Sequence, residues 1–358
     1  MSRLPRIADV TPLNNEACPP VSIVLAARDE AEKLPRALKT LLGQDYPRFE
    51  VVAADDRSKD ATGQVLDEFA RTSKALKVVH IAELPPGWLG KPHALQRAYE
   101  QSSGDWLVFT DADVHFAPDL LRRAMALAQE RNLDHLTLLA EVEMQGFWET
   151  TAVSYFGLGF VFGQEPWQIS KRNSRRYIGV GAFQLLRRSV YEAIGTHRRL
   201  ALEVIDDMKL GKLVKFGGFR SQVAFSGERL RVRWHHGLGN IIRGVTKNMF
   251  AACGFRLSMA LAGIAAVFAL SILPFFGLLF AVGAPRVLAG LAAAAAITLH
   301  AVLISTTRTS LLYALTHPLG ATIFCYMMAR STVVTLWRGG VEWRGTFYPL
   351  AQLRKGLV

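Results

Sequence analysis

Between Val21 and about Glu143, short apolar runs rich in β-formers alternate with longer stretches of helical periodicity. VSIVLAA precedes EAEKLPRALKTLLG, EVVAAD precedes DATGQVLDEFART, LKVVHIA precedes KPHALQRAYEQS, and DWLVFTDAD precedes PDLLRRAMALAQE. Strands that are apolar on both faces and separated by helices predict βαβ units around a mostly parallel sheet covered on both sides. HLTLLAEVEMQ predicts one more strand. FWETTAVSYFGLGFVFG, Phe147 to Gly163, is apolar and aromatic, but it is interrupted by Glu149 and too short to span a bilayer. It predicts a helix lying in a membrane interface, with a buried core segment as the alternative.

Beyond Arg256 the polar face disappears. Leu257–Pro285 is 29 residues without a charge and Val287–Thr307 another 21. Each is long enough for a hydrocarbon core of about 30 Å at 1.5 Å per residue. A third run, Thr309–Ala329, contains His317-Pro318 and continues past Arg330 to Trp337. The expected organisation is an N-terminal extension (1–20), an α/β domain (21–256, in halves 21–143 and 144–256), transmembrane helices (257–337) and a tail (338–358). Three full crossings would put the tail, with Arg338, Arg344, Arg354 and Lys355, on the outer face, against the positive-inside tendency. A cytoplasmic tail is therefore expected, from an even number of crossings or a re-entrant segment broken at Pro274 or Pro318.

Composition agrees with this division. Half of the 358 residues are hydrophobic and the mean hydropathy is +0.18, with the surplus in the C-terminal third. The opening MSRLPRIADVTPLNNEACPP has no apolar stretch of signal-peptide length, so the α/β domain is expected to face the cytoplasm. Cys18, Cys253 and Cys325 lie far apart, which fits a reducing compartment and implies neither a disulfide framework nor a zinc site. The net charge is +12, and Lys171–Arg256 holds 18 Lys or Arg against 5 Asp or Glu. That density, next to apolar helices, points to the phosphates of anionic lipids or of a diphosphate substrate. Nucleic acid is not expected, because no nucleic-acid module accompanies the charge.

Acidic residues follow three of the four strands: Asp29 and Glu30, Asp55 and Asp56, Asp111 and Asp113. Open α/β sheets bind ligands at the carboxyl ends of their strands. Taken alone, Asp111-Ala112-Asp113 reads either as a strand exit capped by acids or as two carboxylates on one strand face. In the second case they could share a magnesium or manganese ion with a diphosphate.

The surrounding motifs carry a family resemblance. VVAADDRSKDAT resembles the DDxSxDxT after the second strand of family 2 glycosyltransferases, and LAARDEAEKL resembles their first nucleotide-contacting turn. GWLGKPHALQRAYEQSSGDWLVFTDADV resembles their lysine-bearing loop, helix and D-x-D strand, in matching order and spacing. YIGVGAFQLLRRSVYEAIG resembles the glycine-rich acceptor-side segment, and EVIDDMKLGKLVKFGG the acidic motif supplying the catalytic base. RVRWHHGLGNIIRGVTKN partly resembles the Q-x-x-R-W of related synthases, with Leu230 at the glutamine position, a departure from processive polysaccharide synthesis. The tail RGGVEWRGTFYPLAQLR resembles the end of membrane-attached members acting on lipids or terpenoids, including the ceramide glucosyltransferase, hopanoid-associated and carotenoid glycosyltransferase groups.

The resemblance implies a GT-A fold followed by a helical membrane domain, in a multi-pass protein of the cytoplasmic (inner) membrane. It implies inverting transfer from a nucleotide diphosphate sugar, a UDP-sugar first, to a hydroxyl or carboxyl group of a lipid or terpenoid. Asp113 and Asp111 would hold a divalent Mg or Mn ion. Ala27, Arg28, Asp29, Glu30, Asp55, Asp56, Lys91, Asp111, Arg233 and Trp234 would contact the nucleotide sugar. Asp207 takes the base position, with Asp206 where a glutamate is more usual, and His235 or His236 could add a metal ligand. Two other readings stand beside this one: a tethered nucleotide-sugar-binding protein without turnover, and a processive polysaccharide synthase. A nucleotidyltransferase would carry a glycine-rich basic loop after the first strand, and AARDEAEKL has none.

Overall fold

The computed structural model describes residues 4–358. They form two compact units. An α/β unit contains the chain up to Val142, Gln164–Arg233 and Lys355–Val358, and a helical unit contains Glu143–Gly163 and Trp234–Arg354. This division by compactness is not linear along the chain, unlike the one drawn from the sequence.

The α/β unit is built on eight strands: β1 (Val21–Ala27), β2 (Phe49–Asp56), β3 (Leu76–Ile81), β4 (Trp106–Asp111), β5 (Val114–Phe116), β6 (His135–Val142), β7 (Gln184–Arg187) and β8 (Ser221–Val232). They lie in the order β3-β2-β1-β4-β7-β6-β8-β5. The β3-β2-β1-β4 half is parallel throughout, as is β6 with β8, whereas β7 and β5 pair antiparallel with their neighbours.

Helices α1 (Leu34–Leu42), α2 (Thr62–Thr72), α3 (Gly90–Glu100) and α4 (Leu120–Glu130) connect the strands. Helix α1 buries Leu34, Ala37, Leu38 and Leu41, the i, i+3, i+4, i+7 spacing of a helix with one apolar face. The strands alternate between two cores. Ile23, Leu25, Val51, Ala53 and Val108 join one cluster with α1 and α4. Val24, Val52, Ala54, Leu107 and Phe109 join the other, with α3 and α7 (Asp206–Phe216). This period of two explains why the strands read as unbroken apolar runs. The N-terminal segment belongs to the same body: Ile7 and Cys18 are fully buried, and Arg122 of α4 donates to the carbonyls of Leu13 and Asp45.

The helical unit contains α5 (Phe147–Gln164, its last residue in the α/β unit), α8 (Leu238–Val245), α9 (Met249–Ala252), α10 (Leu257–Ser271), α11 (Leu273–Phe280), α12 (Ala284–Ile304) and α13 (His317–Arg338). A short helix α6 (Arg188–Ala193) lies in the α/β unit, and the hairpin β9 (Gly340–Trp343) and β10 (Thr346–Pro349) leads into α14 (Leu350–Lys355). Three segments are long and apolar enough to cross a membrane: Leu257–Phe280, Ala284–Ile304 and Leu311–Arg338. The first is broken at Ile272, just before Pro274. Pro318 sits in the first turn of α13, where a missing N–H costs nothing. Helix α5 is partly core: Tyr155 packs against His300, His317 and Phe324 and hydrogen-bonds Ser271 at 2.9 Å, while Phe147, Trp148 and Phe162 are exposed.

Candidate active site

The parallel register aligns the acidic strand ends, pairing Ala27 with Asp55 and Ala26 with Asp111. Beyond Ala27, the turn Arg28–Ala31 is clasped by the loop after β2. Ser58 Oγ accepts from the Asp29 N–H (3.1 Å), Thr62 Oγ1 from Glu30 N–H (2.8 Å) and Asp60 Oδ2 from Ala31 N–H (3.1 Å). Asp29 returns the bond by accepting from Lys59 N–H at 2.7 Å. The Ser, Asp and Thr of DDRSKDAT therefore hold the turn, and Asp29 can occupy the left-handed region at φ 52°. Asp56 is buried, bridged by Arg57 Nε at 2.7 Å, with Arg28 Nη1 at 3.7 Å. Asp55 accepts from Ser58 N–H and faces His80 Nδ1, both at 3.3 Å. A Cβ on Gly90 would strike the Asp56 carboxylate, so glycine lets α3 start against it.

Strand β4 ends at Asp111, and Asp113 lies in the turn that follows. The two carboxylates thus come from a strand end and a turn, which is the strand-exit reading of the two the sequence left open and not the single strand face. Each is held by a lysine: Asp111 Oδ1 by Lys91 Nζ at 2.5 Å, Asp113 Oδ2 by Lys33 Nζ at 3.3 Å. Burial, then the neighbouring Asp111 carboxylate, push the Asp113 carboxyl up to about 6 despite Lys33. Burial alone would lower Lys91, but Asp111, Asp206 and Asp207 outweigh it and raise its ammonium well above the usual lysine range. Strand β5, which follows Asp113, pairs Val114 with Val232, the last residue of β8 before Arg233.

Asp206 and Asp207 open α7, where the helix dipole favours carboxylates. Asp207 accepts from Gly181 N–H at 2.9 Å through Oδ2 and from Met208 N–H at 2.7 Å through Oδ1. The glycines of IGVGA make this approach possible. A Cβ on Gly179 would lie 1.9 Å from the Asp207 carbonyl oxygen, and one on Gly181 2.5 Å from Asp111 Oδ2. Asp111, Lys91, Gly181, Asp206 and Asp207 line one cleft of about 10 Å³, room for roughly a water molecule. His197 also lines it. Burial, reinforced by Lys91, lowers its pKa to about 3, so the imidazole is neutral; Nδ1 pairs with the Tyr191 hydroxyl at 2.6 Å, and Nε2 lies 3.9 Å from Asp206 Oδ2.

Lys33, Gly181 and His197 were not singled out in the sequence. Lys33 falls within the nucleotide-contacting turn and Gly181 within the glycine-rich segment, so both had a signal; His197 had none. Trp234 belongs to the helical unit, its ring 4.8 Å from Phe156, and His235 packs against Gly244 of α8.

No group of three or more His, Cys, Asp or Glu side chains with metal-binding proximity occurs among the described residues. A closed protein cage of the zinc type is therefore not what this donor set fits. Two hard carboxylates, one of them destabilised as an anion by burial and then by the other, would fit a magnesium or manganese ion together with oxygen ligands from a diphosphate and water.

Residues 22–195 match the family model described as glycosyl transferase family 2, a match that ends before Asp206. The chain is 26% identical over 198 residues to a 4,4'-diaponeurosporenoate glycosyltransferase of Staphylococcus haemolyticus, covering 54% of this chain and 50% of that protein. It is 27% identical over 181 residues to a beta-monoglucosyldiacylglycerol synthase of Nostoc, covering 49% and 37%. The chain thus spans half or less of the length of these curated relatives. Among solved structures, a mannosyltransferase from Pyrobaculum calidifontis in complex with GDP-Man and Mn2+ aligns over 92% of this chain and 90% of its own, with TM-score 0.56 and 20% identity. That likeness establishes a GT-A-like fold.

Proposed function

We propose that the chain, whose residues 22–195 match the glycosyl transferase family 2 model, is a family 2 glycosyltransferase carrying out inverting transfer from a nucleoside diphosphate sugar to a membrane lipid or terpenoid. The observation that carries this reading is the cleft in which Asp111 and Lys91 meet Asp207. A leaving diphosphate needs cationic neighbours, and a hydroxyl acceptor needs a carboxylate to orient it and take its proton, while a carboxyl acceptor arrives already ionised and needs no base; the cleft offers groups for both requirements.

In this mechanism the diphosphate lies beside Asp111 and Asp113. Lys91 exchanges its bond to Asp111 for one to phosphate. Lys33 does the same at Asp113, and Arg233 adds charge from the β8 end. A divalent cation held by Asp111 and Asp113, when bound, supplies charge neutralisation of the leaving group. Asp207, fixed by two backbone N–H groups, takes the proton of a hydroxyl acceptor. The acceptor oxygen bonds to the anomeric carbon as the carbon–oxygen bond to the diphosphate breaks, and displacement in line inverts that carbon. Asp206, beside it and near neutral His197, keeps the start of α7 in place. The turn Ala27–Glu30 and the strand end Asp55–Asp56 form the nucleoside side.

The apolar segments support membrane residence, and the excess of Lys and Arg in Lys171–Arg256 supports a cytoplasmic face for the α/β unit. The acceptor class follows the two curated relatives, whose names carry lipid-soluble substrates or products. The test supplies radiolabelled UDP-hexoses to the full chain in membranes, with total lipid extract as acceptor. Label entering the organic phase in a manganese- or magnesium-dependent way is expected. Label in a soluble or polymeric product alone would overturn the lipid assignment.

A further inference from the structure

Residues Lys355–Val358 pack in the α/β unit, although the chain reaches them only after leaving that unit at Arg233. Val358 is gripped through its backbone. Its carbonyl oxygen accepts from Lys209 Nζ at 2.7 Å and Lys212 Nζ at 2.6 Å, and its N–H donates to Glu203 Oε1 at 2.5 Å. The grip is buried: Glu203 is 2% and Lys209 9% exposed, and the two close an ion pair at 3.2 Å. A buried lysine needs its donors satisfied, and here Val358 supplies the acceptor that Glu203 alone does not. The Val358 side chain packs on the apolar cluster that includes Leu210, Leu213 and Val214 of α7. At Gly356 the chain passes so close to Leu202 that a Cβ would stand 2.3 Å from the Leu202 Cβ.

The hydrogen bonds and the close pass at Leu202 all fall on α7 or on the segment just before it. We propose that Lys355–Val358 is a strap that positions α7, and with it Asp207, and that the membrane segment must therefore return to the face it left. The positioning role rests on Asp207 being the base; the return does not. A chain leaving the α/β unit at Arg233 and docking on it again at Lys355 crosses the bilayer an even number of times. Of the three apolar segments, Leu257–Phe280 is the one that departs from a straight span. At 1.5 Å per residue α10 covers about 22 Å and α11 about 12 Å, each short of a core of about 30 Å. The two halves also part company in packing, α10 against α13 and α11 against α12. The strap thereby puts Arg338, Arg344, Arg354 and Lys355 on the same face as the basic stretch Lys171–Arg256.

Two measurements test this on the full chain. In sealed vesicles, with Cys253 and Cys325 changed to serine, Lys74→Cys in the α/β unit and Ala351→Cys in α14 are exposed to a membrane-impermeant maleimide. Labelling from one and the same face is expected. Labelling from opposite faces overturns the strap, whatever reaction the protein catalyses. In the second, Lys212→Met is compared with Lys212→Arg and with deletion of residues 355–358. Lys212 is partly exposed, so its substitution spares the fold. The expected result for Lys212→Met is a kcat lowered about three- to tenfold with donor KM unchanged, restored by arginine, and a larger kcat loss in the deletion. An unchanged kcat in both Lys212→Met and the deletion, or a donor affinity falling in step with kcat, overturns the positioning role. If the wild type transfers no sugar, the function proposed above fails, while the labelling result still decides whether the strap exists.

Discussion

Replacing Asp207 with asparagine separates chemistry from binding. Both carboxylate oxygens accept from backbone N–H groups, Gly181 at 2.9 Å and Met208 at 2.7 Å. An amide keeps one acceptor and turns an NH2 group toward the other N–H. That donor–donor contact costs about 1–3 kcal/mol of stability, because hydrogen bonds to a charged group are lost and a partly buried N–H is left unpaired. Loss of the proton acceptor costs more: general base catalysis contributes about 10²–10⁴-fold, or roughly 3–5 kcal/mol of barrier at 1.36 kcal/mol per tenfold. The proposed nucleoside side is held by its own hydrogen bonds between the β1 turn and the end of β2, separate from the two that fix Asp207. The assay is steady-state transfer to lipid alongside calorimetric binding of the nucleoside diphosphate to the same preparation. The expected outcome is a kcat at least about a hundredfold lower with nucleotide affinity within about threefold. A kcat within tenfold of wild type, or equal losses of affinity and kcat, would refute the assignment.

Other perturbations probe the rest of the cleft. Because Asp113 is raised to about 6, it is ionised above that pH and protonated below it. Cation-dependent nucleotide affinity should therefore fall about tenfold per pH unit below 6, where an ordinary carboxylate would stay charged to about 4. Titration calorimetry showing a flat affinity from pH 7 to 5 would contradict this. Lys91→Met leaves Asp111, Asp206 and Asp207 without their ammonium and should lower stability by about 2 kcal/mol, part of which added Mn2+ restores. A melting temperature equal to wild type would count against that charge balance. Gly181→Ala places a Cβ 2.5 Å from Asp111 Oδ2 and should cut kcat at least about tenfold while the protein still folds; full activity would show that the loop is free to shift.

What the sequence made legible was whatever is local along the chain. The βαβ series was readable because each strand alternates between two cores and so has no polar face, and the strand-end acids were readable because a strand must stop where it meets ligand and water. The two lysines that neutralise the D-x-D pair were harder. Lys91 came through its motif, but Lys33 meets Asp113 from a position 80 residues away. Residues that act by exclusion left no pattern: His197 is a neutral imidazole buried beside Asp206, and its role depends on Tyr191 and on the packing around Phe109. Which of the two readings of Asp111-Ala112-Asp113 holds was not legible for a related reason. Strand periodicity cannot announce that pairing ends at Asp111 and a turn begins, because that limit is set by β5 turning away to pair with β8.

The charges around the cleft set what an anionic donor would need to bring with it. Four carboxylates, Asp111, Asp113, Asp206 and Asp207, face two lysines, Lys33 and Lys91. A diphosphate entering this field brings further negative charge and takes both lysines for itself, which strips Asp111 and Asp113 of their counter-ions. The pair is already strained, since burial and mutual repulsion hold Asp113 near 6 even with Lys33 in contact. On the proposed function, an anionic donor would bind well only in company with a cation that replaces the lysines at the D-x-D carboxylates. On this account donor and ion should bind with mutual dependence, each weakening in the absence of the other by the same factor, as linkage requires.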